Sequence, residues 1–283
     1  MKKSLALVLV LALSLSCVSV LTETALTPIR VAASANPHEI LLNFVKDDLA
    51  QAGFDLQVTW IDGYVLQNPA TSAGEYDANF FQHRPYLNDY NATVNEEEQL
   101  AAVIPVHYEP FGVYPGTKSN LSDIADGDAI AVPNDPSNET RALLLLQEAG
   151  LINLPEGANV DSGLTKLDVT AKDKKIEIIE VDAERLPATL ADVAFAVING
   201  NYAIPAGLYP TRDAIYLESS EGLAAQLYTN YVVVKAGNEN APFVEALREA
   251  LHSDKVKQFL LENEDFKGGV VPNFEGDPAT DSQ

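Results

Sequence analysis

Three short stretches of this chain combine residue types that can hold a small polar molecule. The first is Asp77-Ala78-Asn79-Phe80-Phe81-Gln82-His83-Arg84-Pro85-Tyr86, where aromatics stand beside amides and an imidazole after a short strand. Rings that take an apolar part and polar groups that fix orientation are what a pocket for an amphiphilic ligand needs. The competing structural role is that Phe80 and Phe81 are core and His83 a satisfied buried histidine. The second stretch is Pro133-Asn134-Asp135-Pro136-Ser137-Asn138-Glu139-Thr140-Arg141, which joins a strand to a helix. The free N–H groups of a first helical turn and the fork of Arg141 together suit a carboxylate. Pairing of Arg141 with one of the chain's many acids is the competing role. The third is Ile198-Asn199-Gly200-Asn201-Tyr202. Asn199 there lies beyond the carboxyl end of an apolar strand, where parallel α/β sheets bind ligands, although an ordinary Asn-Gly turn has the same composition.

Signals for catalysis and metals are weak. The chain has no Gly-x-Ser-x-Gly elbow, no Walker loop and no Gly-x-Gly-x-x-Gly, so hydrolysis and nucleotide binding lack their local marks. His38, His83, His107 and His252 are scattered, and a single Cys leaves a structural zinc site without support. Asp123, Asp126 and Asp128 fail the calcium-loop spacing because Gly127 falls between the last two. An enzymatic reading is left with His83 and either Tyr86 or Glu109 as its acid and base.

The elements that must position these residues read as an α/β chain with a mostly parallel sheet, since β-branched runs alternate with helical patterns from Pro28 onward. Strands are expected at 29–33, 54–60, 103–108, 129–132, 176–181, 193–198, 214–217 and 231–235. A helix over 37–52 is expected to use Asn36 as N-cap and Glu39 as its capping-box partner, with Ile40, Leu41, Phe44, Val45, Leu49 and Ala52 on its buried face. Further helices are expected at 136–149, with Asp135 as N-cap and Gly150 as stop, and at 242–251 and 254–262. The polar residues 275–283 read as a disordered tail.

Composition narrows the partners. With 18 Lys and Arg against 41 Asp and Glu, the formal charge is −23 over 283 residues, a field that repels nucleic acid. Lys2 and Lys3 precede an apolar run from Leu5 to Leu15 that is too short for a permanent membrane helix and fits a secretory signal. Cys17, directly after it, is a candidate acceptor for a lipid anchor. The approach to it is irregular, because Ser14 and Leu15 stand interchanged relative to the usual order.

The segments "NPHEIL", "DANFFQHRPYL", "HYEPFGVYPG", "PNDPSNETRALLLLQEAGLI", "AVINGNYAIPAGL" and "YTNYVVV", in this order, resemble the NlpA-type methionine-binding lipoproteins of bacterial ABC importers. The resemblance implies a two-lobed periplasmic-binding-protein fold of type II, with residues 28–107 and 232–274 in one lobe, 108–231 in the other and two crossovers as hinge. It implies no cofactor and no metal. The implied ligand is L-methionine or a related amino acid, and the implied partners are the importer's permease and ATPase subunits and a membrane reached through Cys17. By position, Arg141 would grip the ligand carboxylate, Asn199 and Asn230 would bond its polar ends, and Tyr64, Phe81, His83 and Tyr86 would line the side-chain pocket. Gly63 and Gln67 stand where the family usually has Asp and Pro, and Gln226-Leu227-Tyr228-Thr229 where it has Ser-Pro-Tyr-Ala. These departures leave room for another small ligand, such as a short methionine-containing peptide, or for a surface lipoprotein with no transport role.

Overall fold

The computed structural model describes residues 25–220, 223–266 and 268–276. Cys17, the expected signal at 1–17 and residues 277–283 of the expected tail lie outside them. The chain builds β1 (Thr27–Ala33), β2 (Phe54–Trp60), β3 (Ala78–His83) and β4 (Leu100–Tyr108), then crosses to β5 (Gly112–Pro115) and β6 (Ala129–Pro133). A small ladder of β7 (Ile152–Asn153) and β8 (Thr170–Ala171) follows, then β9 (Glu177–Val181), β10 (Phe195–Ile198) and β11 (Tyr216–Leu217). The chain finally returns as β12 (Thr229–Lys235) and β13 (Val271–Pro272).

Two main sheets result, ordered β13-β4-β12-β3-β1-β2 and β11-β5-β10-β6-β9. Neither is mostly parallel. β1 pairs parallel with β2 and β3, but β12 runs antiparallel to β3 and β4 because it enters from the second lobe. In the second sheet β5 is antiparallel to β10 and β11, while β6 is parallel to β9 and β10. Each sheet carries its own apolar core, one around Val31, Phe80 and Leu247 and the other around Phe111, Leu146 and Phe195. A third cluster joins Tyr64 and Phe81 to Tyr114, Ala196 and Ile198. It lies where the lobes meet.

The crossovers fall at residues 109–111 and 218–228. Tyr108 ends β4, and Thr229 to Tyr231 open β12 with Thr229 paired to Tyr108, so these residues belong to the first sheet rather than to the 108–231 lobe. Glu275 and Gly276 are not a loose tail start, since the Gly276 N–H donates to Asn273 Oδ1 at 3.3 Å.

The expected 37–52 helix is broken. Ile40–Phe44 and Lys46–Gln51 are separate helices, because Val45 leaves helical geometry at φ −101°, ψ 4°. The capping box also fails. Asn36 is extended, its Oδ1 is buried with no partner, and the Glu39 N–H donates instead to Ser34 O at 3.0 Å. The break turns Leu41, Leu42, Val45 and Leu49 inward and leaves Ile40 and Phe44 each 38% exposed, against the predicted face. Phe44 stacks on Phe259 at 4.4 Å between centroids. By contrast, Pro136–Glu148 forms as predicted, with the Asp135 carboxylate accepting from the Asn138 N–H at 3.0 Å.

The helix phase is testable by urea denaturation. Leu42→Ala should lower unfolding free energy by about 2–5 kcal/mol through lost burial and the cavity left behind. Ile40→Ala should change it by less than about 0.5 kcal/mol, as surface positions do; reversed values would restore the predicted face.

Candidate ligand-binding site

Strand β3 places the first group of side chains by means of an irregularity. β12 pairs Tyr231 with Gln82 and then Val232 with Phe80, so Phe81 is an extra residue without a ladder partner. Such a bulge breaks the two-residue alternation. Gln82 therefore faces the same way as Asn79, and both bond Asn68: the Gln82 Nε2 donates to Asn68 Oδ1 at 2.5 Å and the Asn79 Nδ2 to the same oxygen at 3.1 Å. Phe81 and His83 turn into the space between the lobes. His83 then caps the helix Arg84–Thr93, its Nδ1 accepting from the Tyr86 N–H at 3.3 Å. That bond leaves the ring proton on Nε2, which donates to Asn138 Oδ1 at 3.1 Å. Burial, and next the Arg141 charge, push His83 down to about 3. It is neutral at ordinary pH, and both of its ring nitrogens are engaged, Nδ1 as acceptor and Nε2 as donor.

The opposing wall comes from the second lobe. Asn138 Oδ1 also accepts from Asn199 Nδ2 at 3.0 Å, and Asn138 Nδ2 donates to Asp135 Oδ1 at 2.9 Å. A single amide thus joins the helix cap, β3 and the end of β10. Tyr64 donates to Asn201 Oδ1 at 2.7 Å across the same gap. Burial holds the Tyr64 hydroxyl well above its ordinary pKa, so it keeps its proton and can donate. Its ring meets Phe81 and Tyr86, each 5.7 Å away between centroids. Asn199 Oδ1 is buried with no hydrogen-bond partner among the described residues, and the buried Asn201 Nδ2 faces the Tyr202 hydroxyl. Asn199 thus supplies one acceptor.

Tyr64, Phe81, His83, Tyr86, Arg141, Asn199 and Asn230 all line one pocket between the two sheets. Asn230 is already engaged through Oδ1, which accepts from His38 Nε2 at 3.1 Å. The sequence did not single out Gln82, Glu109, Asn138, Gly200 and Asn201 as lining. Four of the five lie within the three segments read as sites, but nothing in a linear pattern tells which amide faces inward. Glu109 lies in the first crossover, inside the segment HYEPFGVYPG, and the sequence offered it only as an acid or base of the enzymatic reading.

Arg141 is not held in reserve. Its Nε donates to both Glu218 oxygens at 3.1 and 3.2 Å, and its Nη2 donates to Glu218 and to the backbone carbonyl of Glu109 at 2.8 Å. Glu218 accepts further bonds from the Tyr108 hydroxyl at 2.5 Å and the Phe111 N–H at 3.1 Å. The guanidinium also lies over the rings of Tyr228 and Phe111, at 4.0 and 4.6 Å from their centroids. One acid of the many, Glu218, does reach Arg141, so the competing pairing is present in the structure. Only Nη1 makes no hydrogen bond to a described residue.

Three residues that the sequence left scattered do meet. His107 Nε2 lies 2.8 Å from Glu109 Oε1, and His38 Nε2 lies 3.7 Å from the same oxygen. Their spacing is that of a three-ligand metal site. The donor chemistry does not fit one, because a ligating imidazole nearly always passes its other N–H to an acceptor, whereas Nδ1 of His107 is buried with no partner among the described residues. Burial holds His38 at about 4 and His107 at about 3. Both rings are neutral and donate from Nε2, a hydrogen-bonded arrangement around one carboxyl group.

Two lobes, two crossovers and a pocket lined from both sides define a two-lobed solute-binding protein. The chain belongs to the NlpA lipoprotein family, whose model matches residues 29–274. It is 38% identical over 256 residues to membrane lipoprotein TpN32 of Treponema pallidum, covering 90% of each chain. It is 37% identical over 246 residues to the D-methionine-binding lipoprotein MetQ of Escherichia coli (strain K12), covering 86% of each. Among solved structures, a nutrient-binding protein of Burkholderia cenocepacia bound to methionine superposes with a TM-score of 0.79 at 39% identity, over 87% of this chain and 100% of that one. The family is one of substrate-binding proteins rather than enzymes. Among the described residues, no helix is long and apolar enough to cross a membrane.

The pairing of Arg141 sets what its removal does. Arg141→Ala leaves Glu218 buried and uncompensated and should lower unfolding free energy by about 3–5 kcal/mol. Most of that loss should return in Arg141→Ala/Glu218→Gln, where the charge is gone but Tyr108 and Phe111 keep an acceptor. A double variant as unstable as the single one would remove the ion pair as the cause.

Proposed function

We propose that this chain captures methionine, or a closely related amino acid, between its two lobes outside the cytoplasm and delivers it to the permease and ATPase subunits of an ABC importer. The observation that carries the reading is a pocket with an aromatic end and a polar end. Tyr64, Phe81 and Tyr86 line the first, while Arg141, Asn199 and Asn230 line the second. A thioether against aromatic edges gains about 0.3–1.5 kcal/mol per contact, and Arg141 Nη1 with Asn230 Nδ2 offers donors to a carboxylate. The methionine named for the Escherichia coli and Burkholderia cenocepacia relatives agrees with that division.

Ligand entry requires the lobes to part, because Tyr64–Asn201 and His83–Asn138 span the gap. A ligand that touches both walls favours closure by its differential affinity for the closed form. Capture and release need no bond chemistry. The lipid tether at Cys17 would keep the protein beside its transporter, as the lipoprotein names of the relatives suggest.

A short methionine-containing peptide is the second reading, and it rests on the turn before Tyr64. Gly63 adopts φ +72°, and the buried Gln67 donates from Nε2 to its carbonyl at 3.2 Å. A glycine and a glutamine thus shape the wall where the family usually has Asp and Pro.

Native mass spectrometry of the purified chain should show a mass increment equal to methionine or a close analogue. A dipeptide increment would select the second reading, and no increment together with no thermal shift in an amino-acid panel would favour a lipoprotein without a transport role. Asn230→Ala should weaken L-methionine binding by about ten- to a hundredfold, the worth of a hydrogen bond to a charged group. Labelling of cells with a radioactive fatty acid should mark the wild-type protein and not Cys17→Ser; equal label in both would place the anchor elsewhere.

A further inference from the structure

We infer that Glu109 is the counter-charge for the α-ammonium group of the bound amino acid, with its Oε2 beside the Gly200 turn that lines the pocket. This rests on the reading of the pocket as an amino-acid site and adds the group that reads the amine. A zwitterion taken out of water needs a partner for each charge, since an unpaired buried ion costs several kcal/mol. Arg141 is the cation of the pocket, and Glu109 is the one carboxylate among the described lining residues. Glu218, the other acid nearby, is consumed by Arg141, Tyr108 and Phe111.

The surroundings of Glu109 hold it in place without neutralising it. Oε1 takes the His107 Nε2–H at 2.8 Å, and the backbone N–H of Asn201 favours the charged form. Oε2 lies against Gly200, where a Cβ would come within 2.7 Å of it. Only a glycine lets the β10 turn approach this carboxylate so closely. No hydrogen bond from a described side chain reaches Oε2, and the backbone turn beside it belongs to the ligand pocket. The titratable groups that face Glu109 are His38, His107, Arg141, Tyr64 and Tyr114. Both histidines are neutral, both tyrosines are protonated, and Arg141 shares its charge with Glu218.

Burial raises Glu109 to about 7, against lowering by His38, Arg141 and the Asn201 N–H. An arriving ammonium group favours the carboxylate, so binding near pH 7 releases protons and weakens as pH falls below 7. The sign for folding runs the other way. A carboxyl group whose folded pKa exceeds its unfolded value subtracts stability as pH rises from about 4.5 to about 7. Glu109→Gln should therefore gain stability relative to wild type as pH rises.

Isothermal titration tests this with L-methionine and with 4-(methylthio)butanoic acid, which lacks the amine, in phosphate and Tris buffers from pH 6 to 9. Wild type should release about half a proton per methionine at pH 7 and close to none at pH 8, where Glu109 is ionised and the amine of the ligand still holds its proton. Glu109→Gln should bind methionine at least a hundredfold more weakly, bind the des-amino acid within threefold of wild type, and release no proton. Its melting temperature relative to wild type, without ligand, should rise between pH 5 and pH 8. Equal binding of methionine by wild type and Glu109→Gln, or equal losses for both ligands, would overturn the inference alone. Failure of wild type to bind methionine at any pH would overturn the functional reading, and the inference with it.

Discussion

The buried pair of Arg141 and Glu218 is the constraint on which the rest of the molecule depends. Arg141 stands one turn into the helix Pro136–Glu148 of the second lobe. Its Nη2 holds the carbonyl of Glu109 in the first crossover, and Glu218 begins the second. One side chain thus ties both crossovers to a rigid helix. The Tyr108 hydroxyl adds the last residue of β4 to the same carboxylate. Since a buried ion pair is stable only with further hydrogen bonds, Tyr108, the Phe111 N–H and the rings of Phe111 and Tyr228 are part of the device rather than its surroundings.

Polar groups are concentrated where the two lobes face each other. Asn138 collects His83 from β3 and Asn199 from β10 on one oxygen, and Asn68, Asn79 and Gln82 form a buried amide network behind the strand. Such a network is stable when every member is satisfied. Asn199 leaves its Oδ1 without a partner among the described residues at the pocket wall. The apolar cores lie away from the cleft in each lobe, so the lobes have the packing to move as bodies about the crossovers. The acidity has little to do with the site. Among the described acids, Glu109, Glu139 and Glu218 are the buried ones, and the other described acids face solvent or its margin, where self-repulsion favours solubility.

Much of this was legible in the sequence, and the failures share one cause. Asp135 with Pro136 and Gly150 bounded a helix correctly, because caps are local chemistry. Strand positions were right to within a few residues wherever β-branched runs marked them. The seven residues assigned through family resemblance line one pocket, although their separate roles are proposals. What sequence did not reveal was pairing at a distance. Glu218 lies 77 residues from Arg141, and His38 meets His107 only after β12 brings Asn230 between the lobes. The bulge at Phe81 is likewise invisible before β12 pairs with β3. The break at Val45 shows the limit of periodicity, since one residue out of helical geometry exchanged Ile40 and Phe44 for Leu42 on the buried face.

A crystal structure of the protein grown with L-methionine tests the central claim most directly. The account predicts electron density between the lobes, with the carboxylate at Arg141 Nη1 and Asn230, the ammonium at Glu109 Oε2, and sulfur among Tyr64, Phe81 and Tyr86. The Arg141–Glu218 pair should be retained. Density outside this cleft, a ligand bound in the reverse orientation, or a Glu218 that leaves Arg141 to make room for the carboxylate would contradict it.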